Sequence, residues 1–162
     1  MMETIIAWAS STALSIWVVD NMWVWPIAET LHFFGLSLLL GSLLLIDMRM
    51  IGWFKRIDIR ATHALLPLVF IGFAINLATG ILFYFGDPGR YTINIAFHIK
   101  MILIVLAGLN ALLYYWKIDP VISTWEAHGN TPLIAKAIGA SSLAFWFGVL
   151  IFGRLIPYMG TG

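Results

Sequence analysis

The sequence predicts an all-α fold, an integral membrane four-helix bundle with an amino-terminal interfacial helix, and three observations carry that prediction. First, 61% of the 162 residues are hydrophobic and 10% are charged, with a mean hydropathy of +0.93. Such a chain cannot keep its surface in water. Second, four apolar runs are each long enough to cross a hydrocarbon layer about 30 Å thick. Third, Trp17, Trp23 and Trp25 cluster just before the first run, where amphipathic rings suit the headgroup level. The spans and their short loops use nearly the whole chain, so residues 1–162 form a single membrane domain with no room for a soluble catalytic domain.

The first element is the stretch 4–19, interrupted by Ser10, Ser11, Thr12 and Ser15 and flanked by Glu3 and Asp20. It is too short to span, so an interfacial helix is expected. It also lacks the basic start of a cleaved signal peptide. The spans follow at about 26–51, 64–85, 93–116 and 132–156. Asp87-Pro88-Gly89 reads as a tight turn between the second and third spans. Thr131 followed by Pro132 reads as the cap and first position of the fourth.

Basic residues set the orientation. Arg49, Lys55, Arg56, Arg60, Lys117 and Lys136 fall on one side, while Arg90, Arg154 and the recessed Lys100 fall on the other. Cytoplasmic loops carry the excess of Lys and Arg, so both termini are expected to face the periplasm. With no cysteine, disulfides, iron–sulfur clusters, covalent haem attachment and thiolate metal sites are excluded together. A formal net charge of +1 with no basic arm argues against a nucleic-acid partner.

The four histidines then sort by depth. His32 lies seven residues past Trp25 and His98 seven past Tyr91, which puts both roughly 10 Å below the outer interface. Two imidazoles at one height on different helices suit a haem b, with the small Gly35 beside His32 letting a flat macrocycle approach. His98 shares its face with Asn94, Met101 and Val105. Glu29 is placed to orient His32, and Arg90 and Arg154 to pair with propionates. The alternative for this pair is ordinary hydrogen bonding across helices.

An inner pair, His63 and His128, offers a second iron site. Against it, His63 projects about 180° from the Gly72, Asn76, Thr79, Gly80 stripe if its helix is regular, and we expect one haem per chain. Pro67 is placed to distort that turn. Glu29-x-x-His32 is also half of a di-iron motif, but no second copy exists. Lys100, two residues past His98, is expected to point the other way and snorkel outward. Asp47 and Arg49 are expected to pair at the inner interface, Asn76 and Asn110 to hydrogen-bond between helices, and Gly139, Ser142, Trp146 and Gly153 to form a packing face.

Several segments carry a resemblance. They are Trp25-Pro26 with Glu29-x-x-His32-x-x-Gly35, LIDMR at 45–49, Gly72-Phe73-Ala74 with Thr79-Gly80, AFHIKMILIVLAGLNALLYY at 96–115 and SSLAFWFGVLIFGRLIPY at 141–158. From about residue 15 onward the chain resembles a family of small four-span bacterial inner-membrane proteins described as a domain of unknown function. That resemblance implies a four-helix fold in a bacterial inner membrane. More distantly the outline is similar to transmembrane b-type cytochromes, which implies haem held by histidines on antiparallel helices.

The leading expectation is therefore an electron-transfer subunit without substrate chemistry of its own, passing electrons between a quinone and a periplasmic redox protein. A second is a non-redox subunit of a larger membrane complex. A third is a small transporter or channel in which Asn76, Lys100 and Asn110 line a path.

Overall fold

A computed structural model describes residues 1–125 and 129–159. It begins with two short helices, α1 (Met2–Ser10) and α2 (Ala13–Asp20), bent by 65°. The single interfacial helix expected over 4–19 is thus broken. Ser11 and Thr12 cause the break by turning their hydroxyls back on Trp8 O and Ala9 O, and Thr12 then caps α2 by accepting from Ser15 N at 3.2 Å.

The first span, α3 (Val24–Ile51), ends at Gly52, whose φ of 108° is the left-handed conformation that closes a helix. The second begins earlier than expected. A 3-10 segment, Ile59–Leu65, capped by Asp58, leads into α4 (Leu66–Gly86). Pro67 sits in the first turn of α4, where its missing N–H costs nothing.

Asp87-Pro88-Gly89 does not form a tight turn. Asp87 accepts from Arg90 N and starts a short helix, α5 (Pro88–Ile93). Asn94 then breaks the chain and caps α6 (Ile95–Lys117), accepting from Phe97 N at 3.1 Å. Before α7 (Leu133–Leu155), Thr131 does not cap the helix. Its hydroxyl donates to Met50 O at 2.7 Å and ties the start of α7 to the end of α3.

Small residues decide how the spans pack. A Cβ on Gly72 would lie 2.6 Å from both Gly35 O and Leu39 N, so the α3 and α4 backbones touch there. Close approach at paired glycines is how membrane helices gain packing energy when lipid is as apolar as their own side chains. A Cβ on Gly139 would meet Asp47 O at 3.0 Å, which brings α7 onto the other flank of α3. Gly148 admits Leu103 of α6 in the same way. The spans therefore follow the spatial order α4, α3, α7, α6. The row curls enough for Tyr84 to stack on Phe97 and for Tyr114 to reach His63, while α3 and α6 each pack on α7 and not on one another.

The outside of this row is apolar. Phe33, Phe34, Phe70, Ile102 and Val105 are exposed along the middle of the spans. Exposed aromatics band the two ends, with Trp8, Trp17, Trp23 and Tyr158 at one and Trp53, Tyr115 and Trp116 at the other. Among the described residues every regular element is helical and four helices are long and apolar enough to cross, as in a multi-pass membrane protein. The end carrying α1, α2 and α5 is the amino-terminal end, and the end carrying Arg49, Lys55, Arg60 and Lys136 is the basic end.

Candidate functional site

The interior face of α6 is the stripe Ala96, Lys100, Leu103, Ala107, Asn110 and Tyr114, each buried or partly buried at helical spacing. His98 lies off that stripe. With Met101 and Val105 it is exposed on the lipid side, and its Nε2 meets Thr92 O at 3.0 Å. The expected opposition of His98 and Lys100 holds, but Lys100 is the one that turns inward. Its ammonium packs against α7, 3.3 Å from where a Gly153 Cβ would sit, and His32 lies within its electrostatic reach.

His32 is partly buried between α3 and α4. Its Nδ1 is 2.7 Å from Thr79 Oγ1, and its ring lies against Phe83. Thr79 also bonds to Ile75 O, and this fixes the hydroxyl that positions the imidazole.

The residues present do not fit a haem held between His32 and His98. The helices carrying them do not pack together, and one imidazole points inward while the other points out. Gly35 offers no slot, because Gly72 O, Ile75 and Asn76 of α4 fill the space above it. Glu29 is exposed and accepts from Trp25 Nε1 at 3.0 Å, one turn back along its own helix, so it does not orient His32. Arg90 pairs with Asp87 at 3.0 Å, and Arg154 lies over the Tyr158 ring and donates to its hydroxyl. Next to that ion pair, outside the spans, burial pushes the Tyr91 phenol up while Arg90 pulls it the other way.

At the basic end, the 3-10 segment turns His63 toward α6, which a regular helix would not. His63 Nε2 lies 2.9 Å from Tyr114 Oη and 3.5 Å from Asp119 Oδ1. Arg60, His63, Asp119, Ile122 and Ser123 line an open cavity of about 400 Å³ there. His128, the expected partner of His63, lies outside the described residues. No group of three or more His, Cys, Asp or Glu side chains among the described residues is placed to hold a metal ion.

Asp47 and Arg49 do not pair. Two residues apart on a helix, they leave on nearly opposite sides. Arg49 is fully buried in the loops and donates to Ile57 O at 2.8 Å and Gly129 O at 3.4 Å. Asp47 turns into the bundle at 3% exposure, beside Ser142 of α7 and within electrostatic reach of Tyr114.

The expected packing stripe on α7 is present. Gly139 meets α3, Ser142 faces Asp47, Trp146 meets Phe73 and Gly153 accepts Lys100. Asn110 bonds across to Ile138 O and accepts from Ser141, whereas Asn76 bonds back to Gly72 O on its own helix.

Sequence reasoning missed Asp47, Tyr114 and Asp119 as parts of one end of the interior. The α6 stripe carried the signal, since its small and polar members recur every three or four residues from Ala96 to Tyr114. No protein-family model, curated protein or solved structure matches the chain.

Proposed function

We propose that this chain is a small carrier of the bacterial inner membrane that moves protons through ionisable side chains inside its helical row. The observation that supports this reading is Lys100, a charged residue on a span that turns inward onto the Gly153 position of α7, with His32 in its electrostatic reach, instead of leaving for the interface. Ionisable groups facing the interior of a membrane bundle are costly to hold and mark ion or proton pathways. Lys100 and His32 both carry their exchangeable proton on a side-chain nitrogen. Such a pair takes up and gives back a proton as the interior is opened to one side or the other. Asn76, Ser42 and Asn110 supply polar groups at intermediate depth, and Asp47 lies about 22 Å from His32 along α3.

The family resemblance and the excess of basic residues at one end support a bacterial inner membrane with that end in the cytoplasm and both termini in the periplasm. On that topology the broken α1–α2 pair belongs at the periplasmic interface, where the exposed Trp8 and Trp17 suit the headgroup level.

Reconstitution into vesicles holding a pH-sensitive dye, driven by a potassium diffusion potential, tests the reading. Wild-type protein should carry a proton flux that Lys100→Met and His32→Ala each lower by roughly tenfold or more, while His98→Ala leaves it unchanged. Flux no greater than in empty vesicles overturns the carrier. A Soret band in the purified protein would return the electron-transfer reading, with ligands other than the His32 and His98 pair.

A further inference from the structure

The basic half of the interior holds a second arrangement that the Lys100 and His32 pair does not use. Asp47 Oδ2 is buried with no hydrogen-bond partner, on a residue 3% exposed and inside a span. Its helix neighbours Ile46 and Met50 belong to the main apolar cluster, with Ile59, Ile118, Ile122, Ala135 and Ile138, so its surroundings screen charge poorly. An ionised carboxylate without a countercharge in such a place is expensive, and a bare oxygen there is a seat for a cation, of which the proton is the smallest.

The groups that face Asp47 decide which cation it is. Ser142 from α7 is its side-chain hydrogen-bonding neighbour. From α6 comes Tyr114, within electrostatic reach of both Asp47 and Asp119. Behind Tyr114 stand His63 of the 3-10 segment, at 2.9 Å, and then Asp119, at 3.5 Å from His63. A metal cation needs several oxygen ligands at once, and the only hydroxyls facing Asp47 among these neighbours are those of Ser142 and Tyr114. A proton needs only a donor and a route.

We propose that Asp47 is a proton-loading carboxyl, and that it exchanges its proton with water in the Arg60–Asp119 cavity through Tyr114 and His63. Water in the cavity protonates His63, whose Nε2 lies 3.5 Å from Asp119 Oδ1. His63 then gives a proton to Tyr114 Oη as Tyr114 releases its own hydroxyl proton toward Asp47. The phenol ends as it began, the imidazole is neutral again and the carboxylate has become a carboxyl. Unloading is the reverse. The use of this site in transport rests on the carrier reading, but the site and its route do not.

The test is infrared difference spectroscopy of the full chain in lipid nanodiscs after a pH jump, with no gradient across the membrane. A protonated-carboxyl stretch should appear in the wild type and be missing in Asp47→Asn, which keeps the side-chain size and a polar contact for Ser142. In His63→Ala and Tyr114→Phe the band should reach the same amplitude about a hundredfold more slowly, the loss typical of a removed proton-transfer group.

Ser142→Ala should move the band to higher frequency, because the carboxyl loses its hydrogen bond, and this carries the assignment if Asp47→Asn does not fold. A band that survives Asp47→Asn, or is unmoved in Ser142→Ala, overturns the site. Unchanged kinetics in both His63→Ala and Tyr114→Phe overturn the route. Loss of the band when sodium or potassium chloride is added at constant pH shows a metal cation in place of the proton and also overturns it. If these spectra come out as expected while wild-type vesicles carry no flux, the carrier reading fails and the carboxyl site stands.

Discussion

Single side chains separate the roles of residues that look alike on paper. His32 and His98 sit at matching depth, yet one bonds to Thr79 between two helices and the other is exposed beside Thr92 O. His98→Ala should therefore change the unfolding free energy hardly at all, within about 0.5 kcal/mol as for other exposed positions. His32→Ala removes a hydrogen bond and a ring contact, and should cost about 1–2 kcal/mol in a denaturation series. Equal effects would mean that both imidazoles share one environment. Arg49 is a stronger case, because its buried guanidinium serves two loop carbonyls, Ile57 O and Gly129 O. Arg49→Met keeps much of the volume but strands those carbonyls, and should cost about 3 kcal/mol and expose the loop after α3 to protease. Asp47, two residues before it, should show no such loop effect in Asp47→Asn, since it faces the other side of α3.

At the scale of elements, the order of the row depends on the glycines that let backbones touch. Gly72→Val would press a branched side chain into Gly35 O and Leu39 N, both backbone atoms that cannot swing aside. The change should destabilise by about 3 kcal/mol or more and split α4 from α3, read as loss of a cysteine cross-link engineered between them. Gly80→Val, where an added Cβ meets nothing within 4 Å, is the matched control. The short helix α5 depends on pH instead. Burial favours the neutral Tyr91 phenol, so its contribution is complete below about pH 10 and is lost as pH rises beyond it. Tyr91→Phe should flatten that alkaline loss of thermal stability; an unchanged alkaline slope would place its cause elsewhere. Length and hydropathy made the four spans legible, because a bilayer demands long apolar helices whatever their packing. Their neighbours were less legible. Small residues on α3, α4 and α7 mark close approach but do not say which two helices meet. The face of α6 was misread by taking His98 as the inward residue, when Ala96, Ala107 and Asn110 already gave the buried phase. The direction of His63 was not legible for a local reason, since a 3-10 segment rotates it relative to the α-helix that follows.

For the whole molecule, the gradient of polarity from one end to the other gives the functional reading its direction. Lys100 and His32 lie near the amino-terminal end, while Asp47, Tyr114, His63 and Asp119 lie near the basic end, so a proton entering at the cavity meets the carboxyl before the basic pair. Which compartment that cavity faces depends on topology. Arg49, Lys55, Arg56, Arg60, Lys117 and Lys136 gather at the cavity end, and positive charge near span ends is retained in the cytoplasm. A reporter that works only in the cytoplasm, joined after Gly162, should therefore be silent, and the same reporter inserted after Phe54 should be active. Replacing Lys55, Arg56 and Arg60 together with Gln removes much of the bias and should yield a mixed population with both fusions partly active. Strong activity after Gly162 in the unaltered chain would turn the molecule over. The Asp119 cavity would then open to the periplasm, and Asp47 would load from the outside.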